Sequence, residues 1–392
     1  MLIKQVKISN LLSYGPTAEA VTLGPLNVLI GPNGSGKSNF LEALSLLKAA
    51  PGKITDPIRD GGGIQDWLYK SAKHSPKQDA RIEVILKNSM HSKDLRYGLA
   101  FHEVGGRFEL SDEFLENENA DTGKDQPYFF YRWNHGRPIL NSTVNALVAR
   151  KLHRESLKPD QSILAQKRDS DFYPELTWVG DQLQDMRFYR EWTFGRYATP
   201  RLPQKTDLPN DKLEQDGSNL GLVINRLRMN ISARRTLVDA LRVIYEGIED
   251  VDVRVEGGTA QVFLIEANGI MPATRLSDGT LRYLSMLALL CDPVPPPFIA
   301  IEEPELGLHP DVLPSLARLL IDASERTQLV VTTHAPSLID ALSDTPESVF
   351  VCERDHGGTR LERLEAKQLT PWLEKFRLGE LWTRGEIGGT RW

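Results

Sequence analysis

The chain has 392 residues, 40% of them hydrophobic and 26% charged, enough to bury a large core and to divide into two or three domains. Its two cysteines, Cys291 and Cys352, are too few and too isolated for a disulfide framework or a zinc site, and neither a signal-peptide order nor a membrane-length apolar run occurs, so a soluble cytoplasmic protein with no membrane partner is expected. The net charge of −6 excludes a whole-molecule attraction to nucleic acid, which would have to come from a local patch.

In chain order, the first chemistry-bearing element is the apolar run Leu26 to Ile30, which reads as a strand and feeds Gly31-Pro32-Asn33-Gly34-Ser35-Gly36-Lys37-Ser38. This satisfies the phosphate-loop pattern G-x-x-x-x-G-K-[ST]. The following Asn39-Phe40-Leu41-Glu42-Ala43-Leu44 continues at helical spacing, so the loop opens a helix whose N-terminal amides face phosphates. The stretch Asn33, Gly34, Ser35, Gly36, Lys37, Ser38 and Asn39 is the candidate binding segment for a nucleoside triphosphate. Lys37 is expected on the β- and γ-phosphates, and the Ser38 hydroxyl on magnesium.

Residues 1–105 read as short strands around this loop, with Gly61-Gly62-Gly63 as a turn and Arg81 to Leu86 as a strand. Residues 106 to about 160 are polar, rich in Asp, Glu and Asn, and their composition predicts a partly mobile stretch. From about 161 to 247 the pattern is helical, with Tyr173, Trp178, Phe188, Tyr189, Trp192 and Phe194 as aromatic anchors. Such aromatics could stack bases, but their apolar helical setting favours core. Two basic stretches stand out: Arg150-Lys151-Leu152-His153-Arg154 with Lys158, Lys167 and Arg168, and Arg226, Arg228, Arg234, Arg235 and Arg242. A solvated helix face accounts for either.

From 248 strands return, and Leu276-Ser277-Asp278-Gly279-Thr280 precedes an apolar helix over Leu281 to Leu290. Ser277 and Asp278 suit an N-cap, and the same geometry presents amides to an anion. Next, Phe298-Ile299-Ala300-Ile301 is a buried strand ending in Glu302 and Glu303. Two carboxylates at such a strand end require a cation; magnesium would supply it, with Glu302 holding the metal through water and Glu303 polarising the attacking water. The run Val330-Val331-Thr332-Thr333 is a second buried strand that ends at His334, where a γ-phosphate contact is wanted.

The ordered set GPNGSGKS, LSDGT, IEEPELGLHP and TTHAPS resembles the ABC-type ATPases of the RecF, SMC and OLD branch. The opening Ile8-Ser9-Asn10-Leu11-Leu12-Ser13-Tyr14 resembles the first strand and turn of that branch, and the ending Leu378 to Trp392 resembles predicted bacterial RecF-like ATPases. The resemblance implies an α/β P-loop NTPase fold: an ABC-type split head of mixed sheet and helices, with lobes at 1–105 and 248–392 and an inserted, mainly helical arm at 106–247. It further implies ATP and Mg2+ as ligands and an ATP-dependent homodimer in which Ser277 and Gly279 contact the partner's γ-phosphate. Arg59 would approach the phosphates, and Gln166 or Gln161 would couple magnesium to the arm. The chain departs from the branch at Glu302, where aspartate is usual; the longer side chain reaches a water of the metal shell. No heptad run of SMC type occurs, and the stretch after His334 is too short for a Toprim domain, so a head without its own nuclease is expected.

These features predict ATP hydrolysis used as a dimerisation switch in a DNA-related process, repair or anti-phage defence, with DNA and a separately encoded nuclease or effector as candidate partners. The alternative is a DNA-binding clamp that uses ATP as a closing ligand; Glu303 favours turnover, because a clamp needs no general base. Phosphoryl transfer to a small molecule would leave Ser277 to Gly279 and His334 without a purpose, and no Asn-Lys-x-Asp guanine motif is present.

Overall fold

The computed structural model describes residues 1–17, 19–70, 79–89, 92–134, 137–141, 150–151 and 157–389. Within it the chain forms two compact units. One comprises Met1–Gly24, Gly31–Met186 and Val351–Glu362; the other comprises Pro25–Ile30, Arg187–Phe350 and Arg363–Trp392. The main division therefore falls at Met186/Arg187, inside the stretch expected as one arm.

The first unit is built on an eight-stranded antiparallel sheet in the order Val21–Thr22, Ile3–Ser9, Ala80–Leu86, Leu95–Val104, Arg107–Asn117, Phe129–Asn134, Arg137–Leu140, Arg150–Lys151. Ala80–Leu86 alternates buried and half-buried residues, the period of a strand with one face on a core. The phosphate-loop helix, Lys37–Ala49, buries Phe40, Leu41, Leu44 and Leu47 and packs against the helix Pro174–Gln184.

The acidic stretch after residue 106 is ordered where the composition predicted mobility: Arg107–Asn117 is an 11-residue strand. Two of its acids, Glu113 and Glu116, are buried and paired. Glu116 accepts from Arg96 Nη1 at 3.1 Å and from Arg132 Nη2 at 2.6 Å. Glu113, 3% exposed, accepts from Tyr97 Oη (2.8 Å), Ser162 Oγ (2.5 Å) and the Ile163 amide (2.9 Å). Paired carboxylates are tolerated inside a sheet, which composition cannot reveal.

In the second unit four neighbouring strands run parallel in the order Arg187–Tyr189, Phe298–Glu302, Gln328–Thr332, Leu26–Ile30. The last two are buried at every position, the signature of a parallel sheet covered on both faces. A smaller antiparallel sheet joins Gln204–Lys205, Thr259–Glu266, Ile248–Glu256 and Gly269–Pro272. The helices Leu220–Arg228 and Ile231–Ile244 pack on the helix Asp278–Leu290.

Candidate functional site

In the first unit the phosphate loop is held by its glycines and by a small hydroxyl cluster. Gly31 has φ 145°, and a Cβ there would lie 2.3 Å from the Cys352 carbonyl oxygen; at Gly36, φ 106°, it would lie 2.2 Å from Thr359 Oγ1. A side chain at Gly31 would have to displace backbone and one at Gly36 the Thr359 and Ser13 side chains, and both glycines have the positive φ that L residues rarely adopt. Thr359 Oγ1 bonds Ser13 Oγ at 2.7 Å and the Ser35 carbonyl at 2.8 Å, and Tyr14 Oη donates to the Gly36 carbonyl at 3.3 Å.

Lys37 is buried rather than solvent-facing, and its Nζ donates to the carbonyls of Gly31 (2.8 Å) and Pro32 (3.1 Å), acceptors that phosphate oxygens can replace. Ser35 Oγ is buried without a hydrogen-bond partner, while Asn33, Gly34 and Ser38 are exposed. An array of helix N-terminal amides, a buried ammonium and an orphaned hydroxyl fit a polyphosphate. Among the described residues no group of three or more His, Cys, Asp or Glu is placed to hold a metal. A magnesium ion that takes phosphate oxygens and the Ser38 hydroxyl needs no such cage.

Two further expected site residues in this unit, Arg59 and Gln166, are engaged locally. Arg59 is exposed, with Nη1 3.7 Å from Asp56 Oδ1. Gln166 spends its carboxamide on the turn before it: Oε1 accepts from the Lys158 amide at 2.8 Å, and Nε2 donates to the carbonyls of Gln161 at 2.7 Å and Lys158 at 3.1 Å.

In the second unit the parallel strands bring the acidic and histidine segments to one edge. Glu302 pairs in register with Thr332, and Thr332 with Leu29, while the Thr333 amide donates to Leu29 O at 3.1 Å. The chain leaves that edge from Ile30 directly into Gly31.

Three acids share this edge in three environments. Glu302 Oε2 accepts from Arg190 Nε at 2.9 Å, so a protein cation stands beside this carboxylate. Glu303 adopts a left-handed backbone, φ 46°, rare for a residue with a side chain. Its amide donates to the Thr332 carbonyl at 3.0 Å, its carbonyl accepts from Arg282 Nη2 at 3.3 Å, and its Oε1 lies 3.5 Å from His334 Nε2. Glu305 Oε1 accepts from Thr333 Oγ1 (2.7 Å) and the His334 amide (2.6 Å); its Oε2 is buried without a partner, and burial raises its pKa. Arg282, whose own pKa burial lowers, lies over the rings of Trp192 and Phe194 at 5.9 and 5.6 Å.

Ser277 caps the helix Asp278–Leu290, its Oγ accepting from the Thr280 amide at 3.0 Å. A Cβ at Gly279 would lie 2.7 Å from the Gly307 carbonyl oxygen, which explains glycine there. Asp278 is bound by Arg201 Nη2.

A sequence profile described as "AAA domain, putative AbiEii toxin, Type IV TA system" matches residues 26–340. The chain belongs to this family. Among curated proteins, the Chromosome partition protein Smc of Delftia acidovorans is 26% identical over 123 residues, 30% of this chain and 10% of that protein. That of a Synechococcus strain is 41% identical over 61 residues, 15% of this chain and 5% of that protein. Two solved structures share the fold at 12% identity. An SmcHead bound to the C-winged helix domain of ScpA has a TM-score of 0.61, with 94% of this chain and 99% of that one covered. The Smc head domain with an extended coiled coil derived from Pyrococcus furiosus, bound to the C-terminal domain of ScpA, has a TM-score of 0.58, with 96% and 99% covered. This AAA-domain protein therefore has an SMC-head-like P-loop fold of ABC type, as its motifs predict.

Sequence reasoning about this family member missed Arg190, Arg201, Arg282, Glu305, Ser13 and Thr359, all of which act on motif residues distant in sequence. It also left open the basic and aromatic stretches. In the second basic stretch Arg226 is bound to Asp292 at 2.5 Å, Arg228 to Asp252, Arg234 to Asp250 and Arg242 to Asp239 at 3.0 Å, so most of its charge is locally balanced. In the first, Leu152, His153 and Arg154 lie outside the described residues. Phe188 and Tyr189 are core, at 4% and 1% exposure. No described helix is long and apolar enough to cross a membrane.

Proposed function

We propose that this protein binds and hydrolyses ATP, and that two copies close on ATP and reopen after hydrolysis. The phosphate loop binds the β- and γ-phosphates through the amides of residues 33–39 and the Lys37 ammonium, and Ser38 offers its hydroxyl to Mg2+, with Glu302 reaching the metal shell through water. Bound Mg2+ would neutralise charge developing on the phosphoryl oxygens. Glu303 takes a proton from the attacking water, and His334, 3.5 Å from that carboxylate, reads the γ-phosphate. Ser277 and Gly279 meet the γ-phosphate held by the partner copy.

The observation that carries this reading is the Glu303 geometry. A carboxylate held by left-handed backbone, facing a histidine at the edge from which the chain enters the phosphate loop, suits proton abstraction and has no use in a static clamp. The names of the curated relatives and of the family support a chromosome-linked or toxin-type process, for which we propose a defence or repair role with a separate effector in the cytoplasm. The balanced arginines give DNA contact less support. Phosphate release and size-exclusion elution, measured with ATP and Mg2+, test the reading; a protein that neither releases phosphate nor changes elution would refute it.

A further inference from the structure

We propose that Arg201 is a positioning residue that neutralises Asp278 and thereby makes Ser277 and Gly279 able to receive a phosphate. This rests on the reading that the segment Ser277 to Gly279 meets the partner's nucleotide. The difficulty it resolves is electrostatic. An aspartate as the first residue of the helix suits the helix dipole, yet between Ser277 and Gly279 its charge opposes an incoming phosphate.

Arg201 answers that charge from beneath. Its side chain is 9% exposed against 54% for Asp278, so the cation is fixed while the carboxylate stands at the surface. Nη2 donates to the Asp278 carboxylate. Nη1 donates to the carbonyls of Ala273 and Thr274, both at 3.4 Å, and to that of Leu276. Nε donates to the Gly195 carbonyl at 3.0 Å, which anchors the guanidinium itself. One side chain thus holds three carbonyls of the segment leading into the helix and its first acid. A planar fork with several fixed donors can do this, whereas a lysine ammonium cannot. Because the pair is nearly charge-neutral, the exposed Ser277 hydroxyl and the helix amides set the potential that an anion meets.

A purely structural tie predicts that Arg201 variants fail whatever stands at 278. Neutralisation predicts rescue. Half-saturating ATP for dimerisation would be measured by light scattering for wild type, R201Q, D278N and R201Q/D278N, with S277R as the control on the underlying reading. The expected result is about a tenfold rise for R201Q, about a threefold fall for D278N alone, and a double variant within about threefold of wild type, because the two opposite charge changes add. A double variant as defective as R201Q overturns the proposal. If R201Q does not fold, D278N decides: a rise of about tenfold there would show that the carboxylate itself is needed and overturn it. Full ATP-dependent dimerisation by S277R would instead refute the reading on which the proposal rests.

Discussion

Replacing Glu303 with glutamine isolates the proposed general base from everything else that the residue does. The amide bond to Thr332 O at 3.0 Å and the Arg282 bond to the Glu303 carbonyl at 3.3 Å are main-chain contacts, and glutamine keeps both. What disappears is the charge facing His334 Nε2, in a contact whose side chains are each 32% exposed. Pairs of that exposure are worth less than about 1 kcal/mol, so the melting temperature should move by no more than about 4 °C. Loss of a general base costs about a hundredfold or more in rate, roughly 2.7 kcal/mol of transition-state stabilisation. The two effects therefore separate cleanly: hydrolysis falls at least a hundredfold while fold and ATP binding persist, and the closed ATP dimer accumulates. His334→Ala should also slow turnover, with less trapping, because it removes a γ-phosphate contact of the closed state. Steady-state phosphate release, a thermal melt and size exclusion with ATP and Mg2+ give the three readouts. A Glu303→Gln protein that hydrolyses at the wild-type rate, or stays monomeric with ATP, would move the base elsewhere and favour the clamp.

Lys37→Ala should abolish ATP binding in calorimetry while the thermal melt stays cooperative; unchanged affinity would sink the phosphate-loop assignment. Ser277→Arg should bind ATP yet neither dimerise nor hydrolyse, and an active, ATP-independent dimer by light scattering would end the trans-site reading. Burial pushes the Glu113 carboxyl up from 4.5 to about 7 against the opposing bonds from Ser162, Ile163 and Tyr97. A folded value raised this far means stability that is full below about pH 4.5 and lost as pH rises through about 7, roughly 3 kcal/mol in all. Glu113→Gln should flatten that slope in denaturant titrations at pH 5 and 8, and equal slopes for both proteins would refute it.

Continuous apolar runs made the edge that carries Glu302, Glu303 and His334 legible. Leu26–Ile30, Phe298–Glu302 and Gln328–Thr332 each read as buried strands, and each is one. Ser277 as an N-cap was equally plain, because capping is decided within four residues. The stretch around Glu113 was not legible, since its acids are satisfied by Tyr97, Arg96 and Arg132 from neighbouring strands and by Ser162 from a turn. A carboxylate in sequence carries no mark of the partner that folding will bring. For the same reason nothing in the sequence singles out Arg190 and Arg201, 112 and 77 residues from the acids they bind.

Those long-range partners also decide which acid does what. Motif order alone offers Glu302, Glu303 and Glu305 as near-equivalent carboxylates within four residues. Arg190 Nε donates to Glu302 Oε2, so that carboxylate is already engaged by a guanidinium. Glu305 is half-buried with its Oε2 out of solvent, its pKa is raised by desolvation, and its other oxygen ties down Thr333 and the His334 amide, so it fixes the histidine segment. Of the three, Glu303 alone turns its carboxylate to the His334 ring, and the strained left-handed backbone is what aims it there. A relaxed extended backbone at 303 would continue the strand and carry the side chain to a sheet face, since successive residues of a strand alternate sides. The proposed division of labour among the three acids thus rests on one arginine, one buried carboxylate oxygen and one backbone dihedral, and the proposed base assignment rests on that geometry as well as on the place of Glu303 in the chain.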